Sequence, residues 1–517
     1  MVPDMLIHKE SKRLILERDP AITALIPHAR SVGGGKYVAV PHNREETRLL
    51  RNLGHVAPSP IMHAYKWPGL QVPFESQKKT AALLSMNTRA YVLNTMGTGK
   101  TRASLFAADF LIQENEIKKV LIVAPLSTLG PTWHNEIKLT FPHRQAVVLH
   151  GTKARRKKLM QEDVSFYIIN HDGVGVIFDE LVAKKFDCVI LDELAVYRTA
   201  NTKRWKLMRN IVKSIPFVWG LTGAPTPNAP TDAYAQAKLI RPDTVDSFKK
   251  FQAKTMWQLS TYKWLPKKEA NDIVYETLQP SVRYRLEDCI DIPDTTYGTR
   301  TVGNSKQQDA IYKAMFNKLH FQHGQHEITA ANEAVKLGKL LQVSGGYVYD
   351  SHKRVLDLAP AKRLVELKNI VEAATQKVIV FVSYIHMIQG VEQYLASENI
   401  DTNVVYSKTT RAQRDKIFTE FQSDPAGKPV LLAHPKTMSH GLTLTAATAI
   451  VWYGPLPSLD TYIQANARIA RPGQHNKTTI IHLEGTKAEK QVYSRLRNKE
   501  SMQGALLDMF DGVNDAA

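Results

Sequence analysis

Met96-Gly97-Thr98-Gly99-Lys100-Thr101 follows the apolar run Tyr91-Val92-Leu93 and precedes apolar residues at helical spacing, Ala103, Leu105, Phe106, Phe110 and Leu111. The pattern reads as strand, glycine turn, helix. Backbone N–H groups in such a turn converge on an anion at a helix N-terminus. A lysine in the Lys100 position reaches outer phosphates, and a hydroxyl at Thr101 suits Mg²⁺. The full phosphate-loop pattern has a further glycine five positions before Gly99, where this chain has Asn94.

Outward from that loop, short apolar runs alternate with helical patterns twice. Val120–Val123, Phe166–Ile169, Val189–Leu191 and Phe217–Trp219 form one set; Val378–Val382, Val404–Tyr406, Val430–Leu432, Ile450–Trp452 and Thr479–Ile481 form the other. Nearly continuous apolar strands between helices predict parallel sheets covered on both faces. The expected architecture is therefore α/β, with two tandem parallel-sheet lobes at about 66–240 and 355–500. Between them, 241–354 reads as a mainly helical insertion, from the spacing of Ile311, Met315 and Leu319 and of Leu337, Leu340 and Leu341. Residues 1–65 read as a small N-terminal α+β module, with a turn at Gly33-Gly34-Gly35, a strand at Tyr37–Val40 and a helix at Arg44–Leu53. Residues 501–517 read as a tail.

A chain of 517 residues is too long for one core. Its 43% hydrophobic and 23% charged content is that of a soluble globular protein. An excess of 68 basic over 49 acidic side chains, +19 net, points to a polyanionic partner, most simply nucleic acid. Two cysteines, Cys188 and Cys289, build neither a disulfide framework nor a zinc ribbon. No apolar run approaches a membrane span, and the start has no signal-peptide core; a monomer in the cytoplasm of a bacterium or an infected host is the expectation. Lys153–Lys158 reads as a solvated basic helix face. His320, His323 and His326 have metal-like spacing but lack completing ligands and read as a solvated loop.

Val189-Ile190-Leu191-Asp192-Glu193 ends a buried strand in two carboxylates. The first is placed to orient Mg²⁺, the second to polarise an attacking water. In the second lobe, Gln464, Arg468 and Arg471 share one face if their segment is helical, and guanidiniums there suit a γ-phosphate as arginine fingers.

These residues in this order resemble helicase superfamily two, and most closely its Swi/Snf-like branch, in which lobes of this type have the RecA-like fold. Gln464 to Gln474 resembles the branch's Q-x-x-x-R-x-x-R-x-G-Q signature. Pro73–Gln77 resembles the adenine-reading motif, Leu121–Ser127 with Trp133 and Glu136 the motif that begins the DNA path, and Leu221–Asn228 the L-T-G-T-P-x-x-N coupling motif. Tyr406-Ser407 with Arg411, Arg414 and Phe418, and Ser439–Thr445, resemble second-lobe motifs. The compact length is similar to members encoded by bacterial viruses, and the N-terminal module is similar to the substrate-recognition module of annealing helicases. The chain departs from the pattern at Asn94, Leu194-Ala195, Thr443 and Ala467.

The resemblance implies ATP and Mg²⁺. Gln77 would read adenine; Thr95, Met96, Gly97, Thr98, Gly99, Lys100 and Thr101 would cradle phosphates; Thr101 and Asp192 would place Mg²⁺. Glu193 would activate water, and Gln464, Arg468 and Arg471 would complete the site from the second lobe. Pro125, Ser127, Thr128, Ser383, Ser439 and His440 would touch DNA. The expected activity is a DNA-dependent ATPase stepping along duplex or branched DNA in replication, recombination or repair. The alternative is a non-motor nucleic-acid-binding factor with a degenerate ATP site.

Overall fold

The computed structural model describes residues 5–261, 263–289, 293–318, 320–323, 326–329, 333–438, 443–471 and 473–498. These divide after Cys289 into two compact units.

The first unit opens with an antiparallel sheet of β1 (Met5–His8), β2 (Arg13–Glu17), β3 (Arg30–Val32) and β4 (Tyr37–Pro41), in the order β1-β2-β4-β3. The helices Pro20–Leu25 and Arg44–Asn52 cover it, closing a small core of Leu14, Leu16, Ile22, Ile26, Val38, Val40 and Leu50. Asn43 caps the second helix through the Glu46 amide. Ion pairs Lys12–Glu114 (3.1 Å) and Arg44–Glu116 (2.7 Å) tie this module to the end of the helix Lys100–Gln113.

Next comes a seven-stranded, all-parallel sheet. Its strands are β5 (Arg89–Val92), β6 (Val120–Ala124), β7 (Ala146–Val148), β8 (Phe166–Asn170), β9 (Cys188–Asp192) and β10 (Phe217–Leu221). A separate hairpin of β11 (Met256–Ser260) and β12 (Lys263–Pro266) follows before β13 (Ser281–Val282). The sheet order is β13-β5-β10-β9-β6-β8-β7. β6, β9 and β10 carry side chains buried on both faces, and two separate cores form above and below them.

The second unit holds β14 (Thr295–Thr301), the hairpins β15 (His320–His323) with β16 (His326–Thr329) and β17 (Tyr347–Tyr349) with β18 (Val355–Asp357), and then β19 (Lys377–Phe381), β20 (Thr402–Val405), β21 (Val430–Ala433), β22 (Ala447–Trp452) and β23 (Thr478–Glu484). Its six-stranded sheet, β14-β23-β22-β19-β21-β20, is also all parallel. The buried pair Arg363–Glu489 (2.8 Å) staples the helix Ala361–Ala373 to the segment after β23. Glu489 also accepts the Gly485 and Thr486 amides, so neither charge is left without hydrogen bonds.

The α/β architecture with two parallel sheets and a small N-terminal antiparallel sheet is the one expected. The stretch 241–354 is more mixed than mainly helical. Among the described residues it contains the helices Phe248–Thr255, Ala270–Thr277, Lys306–Lys318 and Glu333–Ser344, but also two whole hairpins, the first strand of a third, and one strand for each parallel sheet. His320, His323 and His326 stand in the β15–β16 hairpin rather than in a loop. Lys153–Leu159 is a helix, yet Arg156 turns inward to bond the carbonyls of Leu149 (2.8 Å) and Gly151 (2.9 Å). Cys188 is a buried free thiol, and burial pushes its pKa up; Cys289 is half-buried. No helix among the described residues is long and apolar enough to cross a membrane.

Candidate functional site

β5, β10 and β9 are neighbours, and their last residues are in register: Leu221 pairs with Val92 on one side and Asp192 on the other. The loops after these strands therefore leave the sheet at one edge and one level. In a parallel sheet this carboxyl edge is where ligands bind.

The loop after β5 turns through Gly97 (φ +87°) and Gly99 (φ +78°) into the helix Lys100–Gln113. A Cβ on Gly99 would lie 2.0 Å from the Gln77 side-chain amide nitrogen, so close packing and left-handed backbone both require glycine there. The Lys100 ammonium bonds the carbonyls of Asn94 (2.8 Å) and Thr95 (3.1 Å). The Thr98 hydroxyl donates to the Thr95 carbonyl (2.9 Å). Thr95 Oγ1 is buried and makes no hydrogen bond among the described residues. Thr101 follows on the first turn of the same helix.

Asn94, the departure from the glycine pattern, is buried and turned away from the loop. Its amide donates to the Thr80 hydroxyl (3.0 Å), and its side-chain oxygen accepts the Tyr284 amide (3.0 Å). It thereby fastens the helix Glu75–Met86 and the extension of β13 to the root of the loop. On that helix, Gln77 accepts the Phe74 amide (3.0 Å) with its side-chain oxygen while its amide nitrogen abuts Gly99.

At the end of β9, Asp192 accepts the Trp133 indole N–H (3.0 Å) and the Glu193 amide (3.1 Å). Burial raises the Asp192 pKa, against the lowering effects of Trp133, Lys100 and the Glu193 amide. A carboxylate held in that way favours a nearby cation. Glu193 adopts a left-handed backbone (φ +55°), a conformation that costs on the order of 1–3 kcal/mol and concentrates at functional sites. Its carboxylate accepts the Thr222 hydroxyl at 3.4 Å. Gly223 follows, with its Cβ position 3.5 Å from the Asn94 carbonyl and 3.9 Å from the Lys100 ammonium. The loop after β10 thus bonds the second carboxylate and runs near the lysine.

These features fit a bound nucleoside triphosphate and a divalent cation. Two glycines in left-handed backbone shape an anion cradle at a helix N-terminus, a lysine stands in it, and Asp192, its pKa raised by burial, stands at the end of β9, two strands along the same edge.

The remaining predicted residues divide. After β6, Ser127 is half-exposed, Pro125 is buried, and the buried Thr128 donates its hydroxyl to the Pro125 carbonyl (3.0 Å). In the second unit Ser383 is buried and donates to the Gly454 carbonyl (3.2 Å). Ser439 and His440 lie outside the described residues. Gln464, buried on the helix Leu459–Asn466, donates to Asp460 (2.8 Å). That helix ends before either arginine, so the three residues do not share a helical face. The Arg468 carbonyl instead accepts the Leu444 amide (3.1 Å), and Gln474 ties the turn to the carbonyls of Thr445, Ala447 and Ile469. The two arginines differ. Arg468 is fully enclosed. Arg471 is half-buried and bonds the Ala467 carbonyl (2.9 Å), and burial lowers its pKa to about 10. Reading residue types along the chain did not reveal Asn94 as a tie, or the contacts of Trp133 and Thr222 with the two acids. All three are tertiary; the quoted motifs around Trp133 and Thr222 marked those two residues without revealing their partners.

A SNF2-related domain model matches residues 82–346, and a helicase conserved C-terminal domain model matches 362–473. The chain is 27% identical over 454 residues to protein p41 of Acyrthosiphon pisum secondary endosymbiont phage 1, covering 81% of this chain and 94% of that one. It is 24% identical to the CHD3-type chromatin-remodeling factor CHR7 of Arabidopsis thaliana, covering 88% of this chain but only 38% of the relative. It is 23% identical to a Xenopus laevis SWI/SNF-related matrix-associated actin-dependent regulator of chromatin, subfamily A-like protein 1, covering 80% and 42%. Among solved structures, the Sulfolobus solfataricus SWI2/SNF2 ATPase core in complex with dsDNA aligns at 20% identity and a TM-score of 0.42, over 87% of this chain and 96% of that one.

Proposed function

The chain belongs to the SNF2-related domain family, and from that premise we propose that its DNA-dependent ATPase activity drives movement along double-stranded or branched DNA. The observation that carries the reading is the common edge of β5, β10 and β9, where the lysine loop, the Thr222-Gly223 loop and the Asp192–Glu193 pair stand side by side.

In this reading Gly97, Thr98, Gly99 and Lys100 hold the phosphates of ATP, and Gln77 stands beside the adenine. Thr101 and Asp192 hold Mg²⁺, which supplies charge neutralisation to the phosphates when bound. Glu193 accepts a proton from the attacking water. Thr222, bonded to Glu193, reports the state of that acid to the loop that follows β10. Arg468, Arg471 and Gln464 are the second unit's candidates for supplying positive charge and a polar contact to the transition state. DNA is gripped through its phosphates, because a motor tolerates any sequence; Ser127 is the most accessible of the first-unit candidates. The net charge of +19 supports a polyanionic track.

The non-motor alternative takes Asn94 and Ala195 as signs of decay. Both polar atoms of the Asn94 side chain have a partner away from the phosphates, which removes the first of those two motives. Hydrolysis measured with duplex, forked and single-stranded DNA tests the proposal. Stimulation by duplex or fork, abolished by Lys100→Ala, is expected; hydrolysis indifferent to every DNA rejects it. Release of a labelled strand would add strand separation to translocation.

A further inference from the structure

Ser247 to Lys268 contributes nothing to the site above, yet its composition is unlike the rest of the unit. It contains no acidic residue and carries Lys249, Lys250, Lys254, Lys263, Lys267 and Lys268 among several aromatic residues. It folds as the helix Phe248–Thr255, running straight into the β11–β12 hairpin. The two strands pair with each other and with no other strand among the described residues.

The root of this arm is firm. Phe251, Thr255 and Met256 are buried. Phe248 meets Tyr234 edge-on at 5.3 Å, on the helix Asp232–Ile240 that leaves the Thr222–Asn228 loop. Gln236 on that helix bonds the carbonyl of Pro225 within the loop. The arm is therefore anchored to the element that follows the second carboxylate's partner.

Beyond the root the hairpin is largely exposed. Trp257 pairs across the hairpin with Leu265, and their exposures are 61% and 46%; Leu259 is 57% exposed. A two-stranded hairpin is marginal in water even with its apolar side chains covered, so leaving a tryptophan and two leucines in solvent needs a reason. The Lys267 ammonium lies 4.4 Å from the Trp257 ring centre, which puts a cation at the ring itself. Lys249, Lys250, Lys254 and Lys268 are exposed around the root. A flat aromatic and aliphatic platform ringed by cations matches a ligand with apolar faces and regularly spaced negative charge. Unpaired DNA bases on their phosphate backbone have that chemistry.

We propose that the β11–β12 hairpin is a base-stacking element for unpaired DNA. Trp257 takes the face of an exposed base at a strand end or branch, Leu259 and Leu265 extend the platform, and the lysines at the root hold the flanking phosphates. The proposal deepens the DNA reading and rests on it for its setting, but binding without ATP tests it separately.

The experiment uses the full-length protein and three labelled DNAs without nucleotide: oligothymidylate, a fork and a blunt duplex. Anisotropy gives each affinity. Trp257→Ala should weaken oligothymidylate and fork binding about tenfold, within the range for losing one aromatic–base stack. Blunt-duplex affinity and duplex-stimulated hydrolysis should be unchanged, and Trp257→Phe should keep most of the affinity. Because Trp257 is mostly exposed, its removal leaves the fold intact, which a melting curve verifies. Wild-type affinity for fork and single strand in Trp257→Ala overturns the proposal, as does an equal loss on all three DNAs. Loss of self-association in sedimentation with unchanged DNA binding would assign the platform to a second copy of the chain and also overturn it. If no DNA stimulates the wild-type ATPase, the motor reading fails while the anisotropy series still decides the hairpin.

Discussion

Replacing Asn94 with alanine should loosen the root of the phosphate loop without touching any group that faces a phosphate. Asn94 is 2% exposed and makes two side-chain hydrogen bonds, to the Thr80 hydroxyl and from the Tyr284 amide. Alanine leaves Thr80 satisfied, because its hydroxyl also donates to the Ser76 carbonyl (2.7 Å). It leaves the Tyr284 N–H without that partner, at a cost of about 1–3 kcal/mol, and loses a second bond worth about 1 kcal/mol. The sum is about 2–4 kcal/mol, falling on the strip where Leu93 and Thr95 donate to Val282 and Tyr284 (2.8 and 2.9 Å). Amide hydrogen exchange at Leu93 and Thr95 reads that local stability directly. Exchange should accelerate roughly thirty- to several-hundredfold, with a higher KM for ATP, because Lys100 is held by the Asn94 and Thr95 carbonyls. Asn94→Asp should be milder. Its carboxylate still accepts the Tyr284 amide and takes the Thr80 hydroxyl if that proton leaves Ser76. Unchanged exchange at Leu93 and Thr95 in Asn94→Ala would refute the tie.

Gly99→Ala combines a left-handed residue, about 1–2 kcal/mol, with a Cβ 2.0 Å from the Gln77 amide; equilibrium binding should show ATP affinity falling more than tenfold with the melting temperature nearly kept. Arg471→Ala should lower kcat by on the order of 10³ or more if the guanidinium meets transition-state charge, whereas Arg468→Ala, removing an enclosed side chain, should also lower the second unit's melting temperature; normal turnover in Arg471→Ala would remove it from the role. His482 is buried, accepts the Tyr462 hydroxyl when neutral, and has its pKa pushed down to about 4 by burial. The unfolded chain takes up a proton near pH 6.5 that the folded chain refuses, so the second unit should lose about 3 kcal/mol as pH falls from ~6.5 to about 4, and His482→Gln should flatten that part of the melting profile. Trp133→Phe removes a hydrogen bond that lowers the Asp192 pKa, so the acid limb of the ATPase pH profile should move to higher pH; superimposable limbs would argue against Asp192 acting as a carboxylate.

Much of the fold was legible because the central strands are apolar on both faces. β6, β8, β9 and β10 in the first sheet and β19, β21 and β22 in the second appear as continuous runs such as Val189-Ile190-Leu191. The strands that escaped lack that signature. β13 has two residues, and β14, Thr-Thr-Tyr-Gly-Thr-Arg-Thr, is a mostly exposed polar edge. Its pairing with β23 depends on contacts such as Thr295 to Thr478 (2.7 Å between hydroxyls), which no local periodicity announces. The strand, glycine turn and helix around Lys100, and the strand that ends in the acid pair, were legible because each is contiguous in the chain. The helical face proposed for Gln464, Arg468 and Arg471 was not, because the helix end depends on where Leu444 and Gln474 bond, and Leu444 is twenty residues or more away in sequence.

One short segment connects the chemistry of the first unit to its expected DNA path. Between Leu126 and Thr140 the chain carries Ser127, the accessible candidate for a phosphate contact, and then Trp133, bonded to Asp192. One turn later comes Glu136, which accepts Arg102 (2.5 Å) from the first turn of the phosphate-loop helix and also the Thr140 hydroxyl (2.5 Å). A shift of this segment therefore moves a donor on the carboxylate proposed for Mg²⁺ and an ion pair on the helix that carries Lys100 and Thr101. Both contacts are largely shielded from water, where small displacements change electrostatic energies most. DNA pressing on Ser127 would thus act on hydrolysis through two named bonds rather than through a general stiffening of the unit.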